Sequence, residues 1–137
     1  MQTVIHYLAF LLTGVLLQAQ NTVEVTITNF SNNDGKARVG LYNQEGEFLN
    51  KPFKAKDATI QNQKATVVFY DLPEGTYAVS MYHDEDNDGK MKMRMGMFPA
   101  EDYACSNNAK GFMGPPQWKD AQFEVKNGEV KAIAIKL

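Results

Sequence analysis

Cysteine is almost absent from this chain. Only Cys105 among 137 residues carries a thiol, which excludes an internal disulfide and leaves hydrophobic burial to hold any fold together. Histidine is nearly as scarce, with His6 and His83 alone, so a three-histidine zinc centre within one subunit is excluded, and the HExxH pattern is missing. Positive charge is not in excess: 14 basic against 16 acidic side chains give a formal charge of −2, which argues against nucleic-acid binding and against attachment to anionic lipid. Outside the N-terminal segment no useful window repeats apolar residues at i, i+3, i+4 and i+7, so helical architecture is disfavoured too. At this length one core is expected.

Charge is also missing from the start of the chain. No Lys, Arg, Asp or Glu precedes Glu24, and Leu8 to Leu17 is nearly unbroken apolar sequence. A membrane-crossing helix needs about 20 apolar residues. This shorter run, ending in Gln18-Ala19-Gln20, predicts a signal peptide over residues 1–20 with cleavage after Ala19 or Gln20. A retained membrane anchor is the competing reading. The expected product is an exported domain over residues 21–137, periplasmic or secreted, with no membrane insertion after cleavage.

What is present is alternation. Val23, Val25 and Ile27 alternate with polar residues, as do Ala37, Val39 and Leu41, Ala65, Val67 and Phe69, and Tyr77, Val79 and Met81; a period of two marks strands with one buried face. Asn33-Asp34-Gly35 and Asn127-Gly128 predict hairpins, and Leu72-Pro73-Glu74-Gly75 predicts a turn between two adjacent strands. The segment Asp71 to Tyr77 also has the pattern of a tyrosine corner, in which the Tyr hydroxyl bonds upstream backbone. The expected fold is all-β: a single immunoglobulin-like or prealbumin-like β-sandwich of about seven antiparallel strands, interrupted by a long loop insert over 84–118.

The insert carries most of the chemistry. Asp84-Glu85-Asp86-Asn87-Asp88-Gly89 packs four carboxylates into five positions, and DxDxDG is the opening half of a calcium loop in which alternate carboxylates converge on one hard cation. The predicted metal ligands are Asp84, Asp86 and Asp88, with Lys90 contributing its carbonyl. Met95 stands where such a loop has its bidentate Glu, so a remote carboxylate, Glu101 or Asp102, has to finish the shell. The competing reading is a solvated acidic turn neutralised by Lys90, Lys92 and Arg94.

Met91, Met93, Met95 and Met97 recur at every second position and would share one face of an extended chain. Thioethers suit Cu(I), with His83 or Cys105 as an added ligand, whereas packing against the sandwich is the plainer role. His83 is the one histidine beyond the signal segment, so a hydrolase would have to pair it with Cys105 or Ser106. Neither pair has the local pattern of a known nucleophile. Trp118, the sole tryptophan, follows the rigid Gly114-Pro115-Pro116 stretch; it either plugs the core or, with His83, faces a ligand.

Four segments in order, Leu72 to Val79, Tyr82 to Lys90, Ser106 to Ala109 and Gly114 to Pro116, resemble an uncharacterised exported bacterial family, domain-of-unknown-function family twenty-one forty-one. The resemblance runs from Val23 to Leu137. It implies an exported β-sandwich and brings no activity or functional residue with it. A Gly-aromatic pair is usual in that family where Ala104-Cys105 stands, and an acidic residue where Lys92 stands; the Lys92 departure removes one possible cation ligand here. The expectation is a non-catalytic binding or interaction domain for an extracytoplasmic ligand or protein, with calcium as the candidate cofactor. A periplasmic copper-binding protein and a hydrolase are the alternatives.

Overall fold

A computed structural model describes residues 20–94 and 98–137. The predicted signal segment, apart from Gln20, and the residues Met95 and Met97 lie outside the described residues.

The alternating segments form strands in two sheets. The first has the order β10-β1-β4, with β1 at Asn21–Thr28, β4 at Lys64–Leu72 and β10 at Val130–Lys136. The second has the order β3-β2-β5-β8, from β3 (Lys54–Thr59), β2 (Lys36–Tyr42), β5 (Gly75–Asp84) and β8 (Tyr103–Cys105), with β9 (Phe123–Val125) paired to the opening of β5. A two-stranded ribbon, β6 (Met93–Arg94) with β7 (Phe98–Pro99), stands apart. The one α-helix among the described residues, α1, is the single turn Trp118–Ala121.

The inward faces of the two sheets supply one continuous core. Val23, Val25 and Ile27 from β1 meet Val39, Leu41, Phe69, Val79, Met81 and Ile135, all buried. Burial of each such side chain is worth about 1.5–3 kcal/mol against exposure, so these contacts replace the disulfides the chain lacks. Tyr77 joins the core with its ring, and its hydroxyl donates to the Pro73 carbonyl at 2.6 Å. That is the expected tyrosine corner, placed where the chain passes from β4 in one sheet to β5 in the other.

The all-β sandwich expectation agrees with this architecture, with differences in detail. The two main sheets hold eight strands, where about seven were expected. Two of the eight carry none of the alternation read from the sequence: β3, whose residues are all exposed or half-exposed, and the three-residue β8. Not all pairs are antiparallel, since β1 runs parallel to β10. The predicted hairpins are also rearranged. β1 and β2, flanking Asn33-Asp34-Gly35, lie in different sheets, as do β9 and β10, flanking Asn127-Gly128; nor is β4 a neighbour of β5. These turns are real, with Gly35, Asn127 and Gly128 at positive φ, but each carries the chain across the sandwich. Inward alternation looks identical in a hairpin and in an arch between sheets, because both present every second side chain to the same core.

The central strand β5 is covered on both faces. Tyr77, Val79 and Met81 point into the sandwich, while Ala78 packs outward with Cys105 and Ala121 in a second cluster that Phe48, Ala109 and Trp118 border. The stretch 84–118 is therefore not all loop: through β8 and the start of α1 it wraps the outer face of β5.

Candidate functional site

The site begins where β5 ends. Alternation along the strand sends successive side chains to opposite faces, and His83 and Asp84, both fully buried, part company there. Asp84 meets Arg38 from the neighbouring strand β2, with Nε 2.9 Å from Oδ2. Its two oxygens also accept the backbone N–H groups of Asp88 at 3.2 Å and Gly89 at 2.8 Å, which curls the loop around the carboxylate. Burial by itself pushes this carboxyl upward; the Arg38 guanidinium, the Gly89 amide, the nearby Asp86 carboxyl and the Asp88 amide outweigh it, lowering the group from 3.8 to about 2. Asp84 is thus an anion throughout the physiological range.

Four carboxylates gather here. Asp84, Asp86, Asp88 and Glu101 each offer an oxygen, and these atoms lie within 4.8 Å of one another. Glu101 reaches the loop from beyond the β6–β7 ribbon and is itself buried, its oxygens accepting the N–H groups of Glu85 at 3.0 Å and Lys92 at 2.8 Å. It thereby ties the two ends of the loop together. Of the two remote carboxylates expected from the sequence, Glu101 is the one brought to the aspartates. Asp102 goes instead to His83 and Glu85, as neighbouring positions on an extended chain must diverge.

Lys90 is exposed and donates its N–H to Asp88 Oδ1 at 2.8 Å, which tightens the turn. Lys92 pairs with Asp86, where a metal would otherwise draw on that carboxylate, and each charge stabilises the other. Arg38 was missed at the sequence level. It bonds Asp84, Asp57 and Asn87 at once, so it anchors the acidic loop to the sheet. Its signal is one of two basic residues, with Lys36, on the outward face of β2, interpretable only once β2 is known to pair with β5. A shallow groove of about 500 Å³ lies beside the cluster, lined by Arg38, Asp57, Ser80, Tyr82 and Gly89 among others.

The remaining candidates are dispersed. His83, read as facing a ligand at the surface, is instead fully buried, its ring edge-on to Phe30 at 5.1 Å. Its burial follows from its place on the inward face of β5, two residues after Met81. Trp118 is half-buried and packs edge-on to Phe48 at 5.8 Å, against the outer cluster on β5. Ser106 spends its hydroxyl on backbone, accepting from Val79 N–H at 2.9 Å and donating to the Ala121 carbonyl at 2.5 Å. Cys105 is buried, which pushes its thiol upward, away from the reactive thiolate. Met91 is half-buried and Met93 about half-exposed.

Fold and site together define a small two-sheet β-domain with a carboxylate-lined loop at the end of its central strand. The chain belongs to the family described as an uncharacterized protein conserved in bacteria, DUF2141, whose model matches residues 25–133. No curated protein and no solved structure matches it significantly.

Proposed function

We propose that this protein is an exported, non-catalytic binding or interaction domain whose working surface is the loop from Asp84 to Glu101, stiffened by calcium. The observation that carries this reading is the convergence of Asp84, Asp86, Asp88 and Glu101 within 4.8 Å. Carboxylate oxygens are the ligands a hard cation selects, and calcium accepts irregular shells of six to eight oxygens. Export rests on the apolar run Leu8 to Leu17. Calcium would displace Lys92 from Asp86 and fix the loop beside the Arg38 groove, where an extracytoplasmic partner would meet a rigid polar surface.

Thermal melting of the protein in calcium and in chelator tests this. Binding to the folded state alone stabilises by about 2.7 kcal/mol when free calcium is 100 times Kd, so the midpoint should rise in calcium. Asp86→Asn should abolish the rise while leaving the chelator curve near that of the unaltered protein, because Asp86 is exposed. Superimposable curves in calcium and chelator would rule the reading out.

A further inference from the structure

The other face of the same strand end carries a second constellation, and it has a different chemistry. His83 Nε2 lies 2.6 Å from the backbone oxygen of Asp34. A carbonyl only accepts, so Nε2 carries the proton and Nδ1 of the neutral ring presents a lone pair. That Nδ1 atom is buried and has no hydrogen-bond partner among the described residues. Facing it is Glu85 Oε1 at 3.7 Å, beyond hydrogen-bond distance. Asp102 completes the group: one ligand atom from each of His83, Glu85 and Asp102 lies within 4.8 Å of the others. Two bonds fix this arrangement, His83 N–H to the Asp102 backbone carbonyl at 2.8 Å and Glu85 N–H to the Glu101 carboxylate at 3.0 Å.

Three acceptors face one another, and none of them accepts a hydrogen bond from the described residues. A buried acceptor is ordinarily satisfied, and two carboxylates beside a lone pair call for a cation. A tetrahedral ion with bonds of about 2.0–2.2 Å sets its ligand atoms about 3.3–3.6 Å apart, close to the 3.7 Å found between His83 and Glu85. Imidazole nitrogen selects a borderline transition ion over calcium. A ring whose second nitrogen donates to a backbone carbonyl is the usual state of a metal-bound histidine, because that bond fixes tautomer and orientation.

We propose that His83 Nδ1, Glu85 and Asp102 form a binding site for a zinc-class divalent transition ion, distinct from the carboxylate cluster of Asp84, Asp86, Asp88 and Glu101. Glu85 and Asp102 are exposed, so the ion enters from solvent and keeps water in its remaining position. The proposal does not rest on the calcium reading, since the two sites share no ligand.

Cobalt(II) is the probe, titrated into the full chain in excess calcium so that the hard-oxygen cluster is occupied or out of competition. The expected result is one equivalent bound with visible d–d absorption and release by zinc. Because His83→Gln disturbs a buried residue, the decisive variant is Glu85→Gln with Asp102→Asn, which alters exposed side chains only. It should weaken cobalt binding by at least about 100-fold, as two of three protein ligands are lost; Asp86→Asn should leave it unchanged. The proposal is overturned if the unaltered protein shows no d–d band, or if Asp86→Asn removes the band while the Glu85/Asp102 variant keeps it. Cobalt binding that fails leaves the calcium melting shift untouched, so the two readings stand or fall separately.

Discussion

Between the two sheets, order comes from apolar side chains: Val25, Leu41, Phe69 and Val79 are fully buried and need no partner of particular geometry. Between Asp84 and Glu101, order comes from carboxylates that gather backbone N–H groups, two on Asp84 and two on Glu101. The contrast is one of directionality. Apolar contact tolerates any close-packed arrangement and costs nothing to pH, whereas a loop wound on charged acceptors has its shape dictated bond by bond and depends on the charge being present. Arg38 joins the two regions, since it leaves the sheet on β2 and ends on Asp84 and Asn87.

The largest expected effect lies in the sandwich. Phe69→Ala should cost about 3–5 kcal/mol through lost burial and the cavity left behind, read as a lowered denaturation midpoint by far-UV circular dichroism. Trp118 borders the outer cluster on β5, so its fluorescence should melt together with the strand signal. An earlier transition for Trp118 would break the comparison at this point, making the chain after β8 a separate cooperative unit.

Acid should act on the other region. The Asp84 carboxyl is lowered from 3.8 to about 2 in the folded protein, so it binds protons more weakly folded than unfolded. Its contribution is fully present above pH 3.8 and is lost as pH falls towards 2. Melting in chelator should therefore drop between these limits, by less than Phe69→Ala lowers it at neutral pH. Asp84→Asn should show a lower neutral midpoint and a flatter fall with acid. Parallel acid curves for the two proteins would mean that Asp84 does not hold the loop.

Much of this division was legible in the sequence, and the part that was not has a physical cause. Val23-x-Val25-x-Ile27 and its counterparts disclosed which side chains enter the core, because period two survives whatever the strand pairs with. Which sheet each strand joins was hidden. β1 pairs with β10 at the far end of the chain, Val25 opposite Ile133, and nothing local in either segment encodes that partner. The DxDxDG pattern located the acidic loop, and the need for a remote carboxylate pointed to Glu101 or Asp102. Which of them turns to the aspartates depends on the path of the ribbon between. His83 continues the Tyr77, Val79 and Met81 alternation by one more step; what the sequence hides is how far along β5 the buried face extends, because the strand ends one residue later at Asp84. The role of Arg38 was hidden for the same reason as the pairing of β10: its meaning depends on a neighbour 46 residues away.

Tyr77 offers the smallest effect and the finest test of the contrast, because it is the place where the apolar core depends on a directed bond. The ring is 2% exposed and packs in the core, yet the hydroxyl is bound to the Pro73 carbonyl at 2.6 Å. Tyr77→Phe keeps the packing and removes only that bond. Pro73 is exposed, so water can reach its freed carbonyl, and the cost should be that of one hydrogen bond, about 1 kcal/mol, with no change in the denaturant slope. A loss as large as that of Phe69→Ala would show that the crossing between β4 and β5 depends on its polar bond as much as on the packing around it. The sandwich would then be built, at this corner, in the same directional way as the acidic loop.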